Sequence, residues 1–390
     1  MKKSLAMLML AAVAGFVPAT AAYAAYDGTF RVRTASYNIR CKTTESDSQN
    51  NWDNRKADLV KLVKSIAPDV AGFQEVTSEQ YDYLRAQLPA YTFVGAMNST
   101  ASNAAASPVA FLASRFKLLR SGTFWLSATP DVVGSVKWGN GIEDSGYPRI
   151  CTWALLRDKT SGGIFCFACT HLDLNAGPRL AGMRLILSKL VAKYDALDVP
   201  VVLVGDMNAY ENEETIRAAT EVLQDSLLVS QTTPAGPWRT YNGFQWISPA
   251  EEETCPTVLD TTTPAERTYT APFGRRIDYI FSSFSTEVAS FATRNDARPG
   301  NEYYPSDHYP IVADLRMSCE NNLYQGKVRV EIDRSVPSVK GGRYVLTQGA
   351  KLPNANNLEF VLPKWVERAA VEDGEIVIYA KPDPFRFIIR

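Results

Sequence analysis

Histidine is scarce in this 390-residue chain: there are two, His171 and His308, and each stands at the edge of an apolar run with a carboxylate close by in sequence. An imidazole is the side chain best suited to move a proton near neutrality, and a carboxylate beside it can fix its tautomer and orientation. His308 lies in Tyr304-Pro305-Ser306-Asp307-His308-Tyr309-Pro310-Ile311, just ahead of a strand-like stretch. His171 lies in Ala168-Cys169-Thr170-His171-Leu172-Asp173, at the far end of another. Three more acids repeat the placement: Glu75 follows Gly72-Phe73-Gln74, Asp206 follows Val201 to Gly205 and precedes Met207-Asn208, and Asp278 sits within Arg276-Ile277-Asp278-Tyr279-Ile280. A charge in such a run is costly to bury unless a cation or a hydrogen-bonded partner is near. Any one of these residues alone reads as a satisfied structural histidine or a turn acid. Their recurrence at strand ends points to one shared pocket with a proton-transfer base and a bound cation.

The elements that must carry these residues alternate in kind. Arg31 to Ile39 reads as a strand. Leu59, Leu62, Val63 and Ile66 recur at helical spacing within 53–66, and Pro68 stops that helix before a strand at Val70 to Phe73. A second helix is expected over 79–88, capped by Thr77 or Ser78, followed by strands at 91–94, 109–113 and 116–119. Two strands between Ile150 and Leu174 flank the turn Asp158 to Gly163, where glycine supplies the reversal. An amphipathic helix over 179–194 leads through Pro200 into the buried strand Val201 to Val204, and a further helical stretch spans 213–222. Residues 230–271, rich in Thr, Pro, Gly and Trp without periodicity, read as a long loop of the kind that covers a site. Strands return at 276–281 and 309–315. This alternation predicts an α/β sandwich of mixed sheets, occupying 28–318, with a small β-rich extension at 320–390 where the composition shifts to alternating runs such as Lys327 to Ile332 and Glu375 to Ala380.

The N-terminus carries Lys2 and Lys3, an apolar run from Leu5 to Val17, and Ala22-Tyr23-Ala24. That is the pattern of a cleavable export signal over 1–24, too short for a bilayer span, so the expectation is a secreted or periplasmic protein. Losing those two lysines leaves 39 basic against 42 acidic residues, a formal charge of −3. No basic cluster suited to gripping a nucleic-acid backbone is visible, which favours a small or short substrate. Cys151, Cys166 and Cys169 lie inside apolar runs and are expected as core thiols rather than disulfides; Cys41, Cys255 and Cys319 stay open. A zinc site is not expected from this cysteine spacing.

Six stretches in order, Ser36-Tyr37-Asn38-Ile39, Gly72-Phe73-Gln74-Glu75-Val76, Thr170-His171-Leu172, Gly205-Asp206-Met207-Asn208, Arg276-Ile277-Asp278-Tyr279-Ile280 and Ser306-Asp307-His308-Tyr309-Pro310, resemble the motifs of the endonuclease/exonuclease/phosphatase superfamily over about residues 30–316. The resemblance implies a four-layered sandwich of two packed mixed sheets flanked by helices. It also implies a phosphoric ester hydrolase, using Mg²⁺ or Mn²⁺ held by Glu75 with Asn38 and Asp307. His308 would act as general base oriented by Asp278. Asp206 and Asn208 would position water and phosphate, and His171 would donate to a phosphate oxygen or protonate the leaving group. Arg149, in Tyr147-Pro148-Arg149-Ile150, is a candidate phosphate contact whose plain alternative is a surface arginine.

Other functions compete. A binding module on the same fold would have lost turnover, and glycoside hydrolysis by paired carboxylates would also use strand-end acids but leaves both histidines idle. Within the enzyme reading, nuclease and lipid or sugar-phosphate esterase stay open, with the acidic charge favouring the latter pair. Trp125, Trp138, Trp238, Trp246, Tyr303 and Tyr304 either stack on substrate or pack in the core.

Overall fold

β-branched and aromatic residues alternate along the first ordered strand of a computed structural model, which describes residues 29–247, 276–298 and 303–318 together with strand segments at 328–331, 342–345, 358–361, 366–372 and 375–380. The expected export signal, Cys255, Cys319 and the rest of the expected covering loop beyond residue 247 lie outside the described residues. In chain order, β1 (Thr29–Asn38) leads through α1 (Trp52–Ile66) to β2 (Val70–Gln74), and β3 (Val76–Thr77) to α2 (Ser78–Gln87). Then come β4 (Tyr91–Val94), β5 (Ala105–Ala106), β6 (Val109–Leu112) and β7 (Phe116–Trp125). The second half runs β8 (Ile150–Asp158), β9 (Ile164–His171), α3 (Ala176–Ile186), a π-helical turn at Leu187–Val191, α4 (Ala192–Asp195), β10 (Val201–Asp206) and α5 (Glu214–Thr220). It closes with β11 (Gln224–Asp225), β12 (Asp278–Ser282), β13 (Glu287–Thr293) and β14 (Ile311–Ser318).

These strands make two six-stranded mixed sheets, ordered β13-β14-β1-β2-β6-β4 and β11-β12-β10-β9-β8-β7. A shared core that includes Val32, Val70, Phe111, Phe165, Phe167, Val202, Val204 and Ile280 fills the space between them. α1 and α2 cover the outer face of the first sheet through Trp52, Leu59, Val63 and Leu84. α3, the π turn and α5 cover the second through Met183, Ile186, Leu190 and Ile216. The result is the expected four layers, each apolar face buried against the next. Gly72 lets the sheets approach closely: a Cβ there would lie 2.5 Å from Val204 and 2.8 Å from the Cys169 sulfur. Cys151, Cys166 and Cys169 are buried free thiols, as expected, and Cys41 is a partly exposed one.

Some boundaries differ from the sequence reading, for identifiable reasons. The helix expected from Arg179 begins at Ala176, because Pro178 falls in the first turn, where its missing N–H has no intrahelical acceptor to lose. The strand expected over 116–119 continues to Trp125 across a bulge between Leu118 and Arg120. It is an edge strand, so its polar stretch is tolerated and hid the period. Beyond Ser318, Val366–Glu372 pairs antiparallel with Glu375–Ala380, and Gly342–Val345 joins the same small sheet. No helix among the described residues is long and apolar enough to cross a membrane.

Candidate active site

Both sheets deliver their chemistry to one edge. In the first, parallel β1 and β2 end together with Asn38 opposite Gln74, and antiparallel β14 starts beside them with Ile311 opposite Ser36, so Asp307 and His308 arrive at that edge. In the second, parallel β9 and β10 end with His171 opposite Asp206, and antiparallel β12 starts with Asp278 opposite Asp206. Gly205 makes this possible: its φ of +155° and a hypothetical Cβ only 2.0 Å from the Thr170 carbonyl exclude any side chain there. Just past the strand ends, Arg40, Glu75 and Asn208 adopt positive φ of 56°, 61° and 48°. Left-handed backbone is unfavourable for these residue types, Asn least so, and its concentration here marks strain held at a functional site.

The Asn38 amide ties the two sheets, donating from Nδ2 to Glu75 Oε1 at 3.1 Å and to Asp206 Oδ2 at 3.0 Å. Its Oδ1 accepts the Arg40 N–H at 3.0 Å. Glu75 also accepts the Cys41 N–H at 2.9 Å. Burial opposes its charge, but His171, the Cys41 amide, His308 and Asn38 outweigh that and hold its carboxyl at about 2. Asp307 lies near Arg40, 3.7 Å from Nε, and burial together with the Glu75 charge holds it above its ordinary range.

His308 is almost completely buried, and its Nδ1 lies 2.8 Å from Asp278 Oδ2 while Nε2 lies 3.7 Å from Asp206 Oδ2. Burial would lower this imidazole, yet Asp278, Asp206 and Asp307 push it up to about 10. Asp206 accepts the Asn208 N–H at 2.9 Å, and burial, with Asp278 adding to it, raises its carboxyl to about 7. His171 goes the other way: burial and the charges of Arg149 and His308 hold it well below its ordinary value. It therefore stands neutral, with Nε2 2.9 Å from Asn208 Nδ2 and 3.4 Å from Asp206. A neutral imidazole can donate a hydrogen bond but is a poor proton source. Arg149 interacts with Asp173, Asp206 and Glu75, and its Nε is buried with no hydrogen-bond partner. The nine residues singled out in the sequence therefore fall within one constellation.

Several site residues carried no sequence signal. Thr240, Tyr241 and Asn242 run alongside the His308 segment: Tyr309 N–H donates to the Thr240 carbonyl at 2.7 Å, and Asn242 N–H donates to that of Asp307 at 2.8 Å. Thr240 Oγ1 accepts the amides of Ile277 and Asp278, each at 3.0 Å. Only the first part of the expected covering loop is described, and it reaches the base dyad. Arg55 was also missed. It is completely buried and donates to the carbonyls of Ile39, Arg40, Asn50 and Pro305 at 2.6–3.0 Å, joining the segment after Asn38 to the segment before Asp307. Its place three residues after Trp52 and four before Leu59, on the apolar face of α1, was the available signal. Of the aromatic candidates, Trp125, Trp238 and Tyr304 are buried in the protein.

The donor set suits a hard divalent ion. Asp206, Asp278 and His308 offer ligand atoms within 4.8 Å of one another, and Asp278 Oδ1 is buried without a hydrogen-bond partner. Carboxylate oxygens dominate the set, as Mg²⁺ or Mn²⁺ prefers. Because His308 Nδ1 is already engaged by Asp278, Glu75 and Asp307, whose charges act on each other, are the alternative ligands that would leave the dyad intact.

The sequence profile of the Endonuclease/Exonuclease/phosphatase family matches residues 35–308. An uncharacterised protein, L388, of Acanthamoeba polyphaga mimivirus is 29% identical over 177 residues, 42% of this chain and 62% of that protein, so the chain spans about three fifths of that relative's length. A solved endonuclease/exonuclease/phosphatase from Bacteroides vulgatus is 29% identical with a TM-score of 0.60, covering 73% of this chain and 98% of that one. A mannosyl-6-phosphatase from Bacteroides thetaiotaomicron is 26% identical with a TM-score of 0.59, covering 73% and 99%. With its paired mixed sheets and its strand-end histidines and carboxylates inside the matched span, the chain belongs to the endonuclease/exonuclease/phosphatase family.

Proposed function

We propose that this protein is an exported, divalent-metal-dependent phosphoesterase in which His308, oriented by Asp278, takes a proton from the attacking water. Members of its family are phosphoric ester hydrolases, and the observation that carries the reading is the 2.8 Å contact between His308 Nδ1 and Asp278 Oδ2. It turns Nε2 toward the space shared with Asp206, where a water can be held. A divalent ion on Glu75 and Asp307 would polarise the phosphoryl group and offset charge on the leaving oxygen. Asp206 accepts from the water and Asn208 fixes Asp206 through its backbone N–H. Arg149 pairs with the phosphoryl oxygens, and neutral His171 donates a hydrogen bond to them, which is the one of its two expected roles that its low pKa supports.

The same cluster explains how a base with so high a proton affinity can work. Asp307 is among the carboxylates that raise His308, so a cation on Glu75 and Asp307 would offset part of that push and favour the neutral imidazole the reaction needs. All the residues required for turnover are present, which weighs against a pure binding module. Similarity to a sugar phosphatase favours a phosphomonoester, though diesters belong in the first assay. The test is phosphate or alcohol release from a panel of phosphate mono- and diesters with Mg²⁺, Mn²⁺ or EDTA. Turnover that EDTA abolishes supports the reading; folded protein silent on every ester, or turnover indifferent to EDTA, contradicts it.

A further inference from the structure

The two members of the base dyad come from different sheets. Asp278 opens β12 of the second sheet, and His308 stands just ahead of β14 of the first, so neither ladder sets the distance between their side chains. Thr240 is bonded to the chain at both. It is buried, its Oγ1 accepts the N–H groups of Ile277 and Asp278, each at 3.0 Å, and its carbonyl accepts the Tyr309 N–H at 2.7 Å. Past it, the Asp307 carbonyl accepts the N–H groups of Asn242 and Gly243 at 2.8 and 3.0 Å. The stretch 240–243 is thus fastened on either side of His308, and the Tyr241 ring meets the imidazole edge-on with centroids 5.1 Å apart.

The approach to Thr240 is itself held from both sheets. Ala235 joins β13, donating its N–H to the Phe291 carbonyl at 3.0 Å and accepting the Thr293 N–H at 2.9 Å. Trp238 is buried with the Arg276 guanidinium 5.4 Å from its ring centroid, and Arg276 Nη2 lies 2.7 Å from both carboxylate oxygens of Asp225 in β11. Thr240 Oγ1 therefore arrives at a fixed place. A buried N–H needs an acceptor, and one hydroxyl oxygen here serves two consecutive ones, which sets where the backbone of Asp278 lies and hence where its carboxylate starts.

We infer that Thr240 is a positioning residue for the base: through the Ile277 and Asp278 amides its hydroxyl holds the Asp278 carboxylate within hydrogen-bond distance of His308. The kinetic half of the test rests on the phosphoesterase reading above, and the spectroscopic half does not. In the full-length protein, Thr240→Val keeps the shape and loses the hydroxyl, whereas Thr240→Ser keeps the hydroxyl. With Mg²⁺ and the best ester of the panel, Thr240→Val should lower kcat about 10–100-fold and leave KM within about threefold, the pattern of a misplaced base. Thr240→Ser should stay within about threefold of the wild type. Added to Asp278→Asn, Thr240→Val should cost less than about threefold more, because its effect runs through Asp278. In metal-free protein without ester, the downfield imidazole N–H proton of His308, told apart from His171 by His308→Ala, should shift or broaden in Thr240→Val and persist in Thr240→Ser. Thermal melts check folding, and Thr240→Ala replaces the valine variant, with the same expectations, should that one not fold. A folded valine variant with wild-type kcat, a serine variant as slow as it, losses that multiply with Asp278→Asn, or an unmoved His308 proton overturns the positioning role while leaving the reaction standing. No release from any ester overturns the phosphoesterase reading and leaves the His308 proton to decide the role of Thr240.

Discussion

At the scale of the residue, the protein works by opposing proton affinities in adjacent groups. His308 is pushed up to about 10 and Glu75 down to about 2, while His171 is held neutral a few ångströms away. The signs lead to a stability prediction for the protein free of divalent ions. The folded value for His308 stands above its ordinary 6.5, so the stabilisation it contributes is complete below about pH 6.5 and is lost as pH rises through about 10. Asp206, raised from 3.8 to about 7, acts in the same direction over its own window. Urea midpoints should therefore fall between about pH 6.5 and about 10, and Asp278→Asn should flatten that fall by removing the charge on Asp278, the largest influence raising His308. An identical slope in the two proteins would show that the dyad is not the source. The identities of these groups were legible in the sequence because a histidine or acid interrupting an apolar run is conspicuous. Their affinities were not, since each depends on charges brought in by other strands. The positive φ at Glu75 was equally invisible, because Gln74-Glu75 carries no turn signature.

At the scale of the element, strand direction does most of the positioning. Two parallel pairs end, and two antiparallel strands begin, at one edge, so six separate stretches of chain meet there. Hydrophobic period located nearly all of these strands and both covering helix sets; it failed where other forces decide. The π-helical turn at Leu187–Val191 left no sequence trace, and residues 240–242 lack a period because they pair with the His308 segment only locally. Arg55 belongs to this scale too, as a clamp between the two loops that follow β1 and precede β14. A guanidinium can donate in several directions at once, whereas a lysine is a single compact charge. Arg55→Lys should leave buried carbonyls unsatisfied and lower stability by about 1–3 kcal/mol, and the concentration of Mg²⁺ giving half-maximal activity should rise as the loops carrying Asn38 and Asp307 loosen. Thermal melts and a Mg²⁺ titration check both parts. A variant that melts and titrates with the wild type would mean the loops keep their places without the clamp.

At the scale of the whole molecule, the two packed sheets share one core and bring the ends of both parallel strand pairs together. We read the site as complete within residues 35–308, the span of the family match, and the strands beyond Ser318 as an appendage outside the chemistry. Fold class was legible from alternating strands and helices, and family from six ordered motifs; substrate preference was not, because the six motifs carry the shared chemistry and not the surroundings of the leaving group. What joins these scales is the proposed role of His308 as the base. The most direct measurement is kcat/KM for wild type and His308→Ala under saturating Mg²⁺ on the best ester of the panel, with melting curves to confirm folding. The account predicts a loss of about 10²–10⁴-fold, the range for a general base; a folded His308→Ala protein with activity close to that of the wild type would contradict it.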